Sequence, residues 1–350
     1  MNSKPATSLD EIFLRSWQKR GLLAWLLWPL SLLFHLLVVL RRRMYAAGLL
    51  KSTRLPVPVI VVGNIFIGGT GKTPLTIWLV QALLQAGYKP GVISRGYGAD
   101  AGLPRRVGVD SPAQQVGDEP LLIAQRTGCP VVVGRNRVDA ASALLAAHPD
   151  VDIIVSDDGL QHYALQRDIE IVLFDSRGAG NGWLLPAGPL REPQSRRRDF
   201  TVVNVSGNSL DAAPAAASDA YAMQLVGDVA EQLADRSRKA GLGTLQADGK
   251  NARIVAAAGI GNPARFFSML HRTGLVFTEM PLPDHYDFMD HPFLDVVADM
   301  ILITEKDAVK CGNISGLGND PRIWVVPVTA QLDDALAEQI VEKCRGCPIA

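Results

Sequence analysis

The run Val57-Pro-Val-Ile-Val-Val-Gly-Asn-Ile-Phe-Ile-Gly-Gly-Thr-Gly-Lys-Thr73 limits the possible folds more than any other part of the chain. Val57, Val59, Ile60, Val61 and Val62 form a near-continuous apolar stretch, the pattern of a central parallel strand covered on both faces. Gly68, Gly69 and Gly71, with Thr70 among them, permit close backbone approach and positive φ, so amide N–H groups converge on an anion. A helix starting near Lys72 adds unpaired donors and partial positive charge at its N-terminus. Lys72 has the reach for β- and γ-phosphates, and the Thr73 hydroxyl suits a Mg²⁺ shell. Strand, glycine turn, lysine and helix together read as a cradle for a nucleoside triphosphate. The cradle is a shortened one: Phe66 stands where the longer pattern has its first glycine, leaving Gly-Gly-x-Gly-Lys-Thr.

A chain of 350 residues can bury one large core or two moderate ones. Hydrophobic residues make up 48% and aromatics 6%, which suits an α/β protein built on Val, Ile, Leu and Ala. The formal net charge is zero, so the molecule as a whole offers no electrostatic basis for binding nucleic acid. Cysteines occur at 129, 311, 344 and 347, and a lone Cys344-x-x-Cys347 lacks the two further ligands a structural zinc needs. Free thiols in a reducing cytoplasm are expected. No protein partner is implied.

Charge is unevenly placed. Residues 1–54 hold nine Lys or Arg against Asp10 and Glu11. Within them, residues 21–40 carry no charged side chain, and as a helix they extend about 30 Å, the thickness of a bilayer hydrocarbon core. Lys19-Arg20 precedes this run and Arg41-Arg42-Arg43 follows it, so the charge asymmetry that orients a spanning helix is weak. The run is long for a secretory signal, and no small-residue cleavage site follows. Three placements compete: a spanning helix, a buried core helix, and a helix lying in one leaflet. The last, with Trp17, Trp25 and Trp28 at the headgroups and arginines on anionic lipid, is preferred. Residues 15–54 are thus expected to meet a membrane surface.

Downstream the pattern is α/β. A helix from Lys72 to about Ala86 leads to a strand at Gly91–Ser94 and a tight loop, Arg95-Gly-Tyr-Gly98, that can hold Tyr97 against a base or sugar or simply pack it. Residues 99–115 read as an exposed excursion. Val116-Gly-Asp-Glu-Pro120 starts the next helix, which runs to about Arg126, with Asp118 and Glu119 at its N-terminus, where acids commonly act as caps. A strand at Pro130–Val133 and a helix over 136–147 precede the apolar run from Val151, which ends in Asp157-Asp158. Carboxylates at such a strand end are the expected second half of a phosphate site, holding Mg²⁺ directly or through water. Strands follow at Ile169–Asp175 and Phe200–Val205, with a Gly- and Pro-rich loop over 182–193 that brings Arg191 and Glu192 near phosphates.

Residues 206–250 show little pattern. A second strand–glycine–helix unit restarts at Arg253, with further strands at Val276–Thr278, Met300–Thr304 and Ile323–Pro327. The expected organisation is a membrane-associated segment over 1–55, a P-loop kinase domain over 56–230, and a smaller α/β domain over 231–350 that closes the cleft. In that last part Asp284-His285 sits on a Pro-held loop suited to proton chemistry. Thr304-Glu-Lys-Asp307 follows a strand directly, making Lys306 and Asp307 candidates to face the cleft.

These segments in this order resemble the tetraacyldisaccharide 4′-kinase family of lipid A biosynthesis over nearly the whole chain. The resemblance is carried by Val62-Gly-Asn64 with Gly68–Pro74, Ser94-Arg-Gly-Tyr-Gly98, Gly117-Asp-Glu-Pro120 and Asp157-Asp-Gly-Leu-Gln-His162. Asn181-Gly-Trp with Pro186–Glu192, Ala258-Gly-Ile-Gly261 and Thr304–Asp307 complete it. It implies transfer of the ATP γ-phosphate to the 4′-hydroxyl of a tetraacylated disaccharide 1-phosphate, at the cytoplasmic face of a Gram-negative inner membrane. By the same resemblance Lys72 and Thr73 serve the phosphates and Mg²⁺, with Asp157 and Asp158 adding the acidic contribution. Tyr97 lies near the nucleotide, and Arg191 and Glu192 at the phosphates. Asp118 becomes the candidate base paired with His285, a pair that domain closure assembles. One departure is Tyr286, where the family pattern has a further polar residue. The competing class is a membrane-associated regulatory ATPase, but such proteins usually carry a lysine before the two glycines, and this chain has Ile67.

Overall fold

The computed structural model describes residues 16–96, 103–205, 219–245, 252–312 and 314–347. In chain order the elements begin with α1 (Leu22–Ala46), β1 (Val59–Gly63), α2 (Lys72–Gln85), β2 (Pro90–Ser94) and β3 (Arg105–Val107). They continue with α3 (Ala113–Val116), α4 (Asp118–Thr127), β4 (Val131–Val133), α5 (Arg137–Ala147) and β5 (Ile153–Asp157). Next come β6 (Ile169–Asp175), β7 (Phe200–Val205), β8 (Ala220–Val226), β9 (Val229–Gln232), β10 (Lys239–Gly241) and β11 (Ile254–Ala258). The last are α6 (Pro263–Arg272), β12 (Thr278–Pro281), β13 (Met300–Thr304), α7 (Glu305–Cys311), β14 (Ile323–Val326), β15 (Thr329–Gln331) and α8 (Asp334–Arg345). The fold is α/β with extensive parallel sheet.

The chain divides into two compact units, one of Met1–Lys72, Asp158–Gln224 and Leu332–Ala350, the other of Thr73–Asp157 and Leu225–Gln331. In the first unit β8, β7, β6 and β1 lie side by side and parallel, with Val62 opposite Ile171, Leu173 opposite Val202 and Val203 opposite Ala222. Every residue of β1 and β7 is buried, which is why β1 reads as an unbroken apolar run and β7 as a largely apolar one, with Thr201 and Asn204 the polar residues within it.

The second unit holds β5, β2 and β4 as parallel neighbours, with β3 antiparallel at the edge. Its other sheet runs β10-β9-β14-β13-β11-β12, parallel from β14 to β12 and antiparallel at β9 and β10. Side chains of β13 alternate between two cores, Leu302 with Phe266, Phe267 and Leu270, and Ile301 and Ile303 with Phe288 and Phe293.

Some elements escape the sequence pattern. Residues 99–115 contain β3 and most of α3, and residues 206–250 contain β8, β9 and β10. The strand expected at Val276–Thr278 begins only at Thr278. These pieces are three to seven residues long with mixed burial, too short or too polar to print a period. The helix expected through Val116–Arg126 is two, broken at Gly117 with φ 90, so that Asp118 opens α4.

Candidate active site

The glycine turn between β1 and α2 is braced from inside the first unit. Gly63, the last residue of β1, has no room for a side chain, since a Cβ there would meet Leu160 at 2.6 Å. Asn64 follows, fully buried, and its Nδ2 donates to the carbonyls of Phe66 at 2.8 Å and Gly68 at 3.1 Å. Its Oδ1 receives Lys72 Nζ at 3.2 Å and the Arg191 guanidinium. Asp158 stands 3.8 Å from Lys72 Nζ and 3.2 Å from Arg191 Nη2, on a backbone with φ 47. Two cations are thereby gathered beside the glycines, where a polyphosphate needs them.

Two residues outside the motif complete the brace. Asn204, at the end of β7, donates to the Thr70 carbonyl at 2.9 Å, and a Cβ at Gly71 would lie 2.5 Å from its Nδ2. Arg177 is gripped by the buried Asp175 at 2.7 Å, donates to Gly69 O at 3.1 Å and lies 4.3 Å over the Phe66 ring. Phe66, which stands where the longer pattern has a glycine, thus packs under a guanidinium. Of the expected pair Arg191 and Glu192, Arg191 sits at Asn64 and Asp158. Glu192 is buried instead against Arg196 at 2.6 Å and receives Gln161 at 3.2 Å.

In the second unit Asp157 closes β5, buried, and accepts from Thr76 Oγ1 and Ser94 Oγ, each at 3.2 Å. Thr76 lies three residues after Thr73, so the face of α2 carrying the Thr73 hydroxyl is the one that meets this carboxylate. A hydroxyl and a carboxylate on one side are hard oxygen donors of the kind Mg²⁺ takes when waters and phosphates fill the rest of its shell. Residues Thr73 and Asp157 fit that ion. Among the described residues no cluster of three or more His, Cys, Asp or Glu forms a denser metal site.

The second unit also builds an acid–base group. Gly117 breaks the chain so that Asp118 heads α4, where it is 6% exposed and accepts the Glu119 N–H at 2.9 Å. Its Oδ2 lies 3.1 Å from His285 Nδ1 and 3.7 Å from Lys306 Nζ. His285 occupies the loop after β12 with φ 58, and Tyr286 beside it turns its hydroxyl to Asp290. The pair is made inside one unit, where the sequence reading expects domain closure to assemble it. Burial pushes the Asp118 carboxyl up, but the His285 hydrogen bond and the Lys306, His285 and Lys310 charges bring it below the ordinary carboxylate range. The Asp118 hydrogen bond raises His285, against burial and the Lys306 charge. Tyr97 lies outside the described residues.

The N-terminal helix α1 belongs to the first unit, which it and the residues just ahead of it contact at several points. Trp17 Nε1 donates to Pro186 O at 2.9 Å, Ser31 Oγ to Leu184 O at 2.7 Å, and Trp25 meets Trp183 edge-on at 4.8 Å. Near the other end Tyr45 and Arg41 each lie 5.8 Å from the Tyr163 ring. On the opposite face Leu22, Leu26, Leu30, Leu33, Leu37 and Leu40 are all more than half exposed. With a mean hydropathy of 2.2, α1 is long and apolar enough to cross a membrane.

The family model for LpxK, tetraacyldisaccharide-1-P 4′-kinase, matches residues 23–345. The chain belongs to this family. It is 65% identical over 346 residues to a tetraacyldisaccharide 4′-kinase of Janthinobacterium sp. (strain Marseille), covering 98% of this chain and 99% of that one. A tetraacyldisaccharide 4′-kinase of Herminiimonas arsenicoxydans is 63% identical over 353 residues, covering 98% of each. The solved structure of LpxK from Aquifex aeolicus in complex with ATP superposes with a TM-score of 0.75 at 27% identity, covering 92% of this chain and 99% of that chain. As a tetraacyldisaccharide 4′-kinase family member, the chain is a phosphotransferase of lipid A biosynthesis. The regulatory ATPase reading is set aside.

Proposed function

We propose that this chain uses Mg²⁺-ATP to phosphorylate the 4′-hydroxyl of tetraacyldisaccharide 1-phosphate, with Asp118 as the base. The 3.1 Å contact between Asp118 and His285 carries this reading. ATP rests its triphosphate on the backbone amides of Gly68–Thr73, with Lys72 and Arg191 neutralising the β- and γ-phosphates. Thr73 with Asp157 and Asp158 would hold the Mg²⁺, which supplies charge neutralisation to the transferring group. Asp118 takes the proton of the 4′-hydroxyl as its oxygen bonds to the γ-phosphorus and the bond to the ADP oxygen breaks. His285 orients the carboxylate and shares the proton load of the pair. Glu192 acts indirectly, by fixing the Arg191 loop through Arg196.

The acceptor is a lipid, and α1 brings the enzyme to it. A helix tied to its own unit at Ser31 and at Tyr45, with Trp17 ahead of it also held, lies along the cytoplasmic face of the inner membrane, its leucine face in the leaflet. This supports the in-plane placement over the spanning one.

Transfer of labelled γ-phosphate to tetraacyldisaccharide 1-phosphate in detergent tests the proposal, beside a Lys72→Ala control. Lipid-dependent transfer that the control abolishes supports it. Release of free phosphate without labelled lipid contradicts it.

A further inference from the structure

The segment Thr304-Glu-Lys-Asp307 joins β13 to α7, and each side chain has a separate task. Thr304 caps α7, accepting from Asp307 N at 3.1 Å. Asp307 is fully buried and receives the Thr304 hydroxyl at 2.7 Å and the Gly259 N–H at 3.0 Å, tying α7 to the end of β11. Glu305 takes Arg126 Nη1 on both oxygens at 2.7 Å and Val328 N–H at 3.2 Å, which pins α7 to the last turn of α4. With the two helices fixed in this way, Lys306 meets the first turn of α4. Its ammonium lies 3.0 Å from Glu119 Oε1 and 3.7 Å from Asp118 Oδ2, with the side chain 18% exposed.

We propose that Lys306 is a positioning residue for phosphoryl transfer, its ammonium keeping the Asp118 carboxylate ionised and aligned with the acceptor hydroxyl. The proposal rests on the reading of Asp118 as the base. A cation this close to a buried carboxylate favours its charged form strongly, because little water screens the pair. The other charged groups acting on Asp118 are Lys310 on α7 and His285 on the loop after β12, while Glu119 and Asp284 face Lys306 and Asp284 also faces His285. Glu119 is bound by Lys306 itself, and Lys310 is committed to Asp307 at 3.0 Å. Lys306 acts on both members of the base pair in the same direction, lowering Asp118 and His285 alike. Its loss therefore moves the whole pair upward.

The test is the pH profile of kcat/KM for the lipid in Lys306→Met and Lys306→Arg enzymes. The methionine variant is expected to shift the acid limb up by roughly one pH unit. Near neutrality, where Asp118 stays ionised in both enzymes, it is expected to lose about tenfold in kcat through misalignment of the carboxylate alone, with KM for ATP unchanged. The arginine variant, which keeps the charge, is expected to leave the limb where it stands in the parent. Should the methionine variant not fold, Lys306→Gln carries the same expectation. An acid limb at the parental pH in the uncharged variant overturns the proposal, whatever its activity. Asp118→Asn is measured alongside: normal turnover there overturns the base assignment itself. Collapse there with an unmoved limb at Lys306→Met overturns the role of Lys306 alone.

Discussion

Asn204 Nδ2 donates a 2.9 Å hydrogen bond to the Thr70 carbonyl and sits 2.5 Å from where a Cβ on residue 71 would be. One amide group thus fixes the glycine turn and makes residue 71, with φ 97, a position for glycine alone. Gly71→Ala is expected to abolish measurable ATP binding by calorimetry while the fold persists. Asn204→Ala leaves a buried carbonyl without its donor, and is expected to weaken ATP by about fivefold or more. Unchanged ATP affinity in the alanine variant at 71 contradicts this account of the turn.

Arg196 is buried between Glu192, 2.6 Å away, and Glu170. Removing the guanidinium leaves a buried carboxylate uncompensated, which costs about 3–5 kcal/mol. Arg196→Met is therefore expected to lower the urea midpoint strongly, and any residual folded enzyme to show weakened ATP binding through the displaced Arg191 loop. A loss below about 1 kcal/mol would mean the cluster is screened like a surface pair.

The Asp118–His285 bond has a pH signature in stability as well as in rate. Asp118 is depressed, so its contribution is complete above the ordinary carboxylate pKa and lost as pH falls through the lowered value. His285 is raised, so its contribution is complete below the ordinary imidazole pKa and lost as pH rises through the raised value. Both are complete between roughly pH 4 and 6.5. The stability difference between the parent and His285→Ala is expected to plateau in that window and shrink on either side. A difference that is level from pH 4 to pH 9 contradicts the pairing.

The two faces of α1 should respond differently to substitution. Serine at Leu26, Leu30, Leu33 and Leu37 together is expected to release the enzyme from anionic vesicles with little change in thermal stability, since all four are exposed. Bulk at Ala24, which is buried, is expected to lower stability instead. Single cysteines near Trp17 and Tyr45 should label from the same side of sealed vesicles. Labelling from opposite sides would make α1 a spanning helix.

Much of this was legible in the residues. The glycine cradle, the strand ending at Asp157 and the buried strands β1, β6 and β7 announce themselves, because apolar runs closed by glycine or carboxylate are local signals. The base role proposed for Asp118 is not a local signal: at a helix start an acid reads as a cap, and the contact that supports the proposal is with His285, 167 residues away. Asn204, Arg177 and Lys306 were missed or left unassigned for the same reason, since each acts on a partner more than a hundred residues distant in sequence. Phe66 reads only as a missing glycine because the pattern counts glycines and does not see Arg177 above the ring.

The most direct measurement is single-turnover transfer of the ATP γ-phosphate to tetraacyldisaccharide 1-phosphate by Asp118→Asn enzyme, with ATP affinity measured on the same preparation. The account predicts a rate lower by about 10²–10⁴-fold, the usual worth of a positioned base, and ATP affinity within about twofold of the parent. Near-parental transfer by the asparagine enzyme would contradict it.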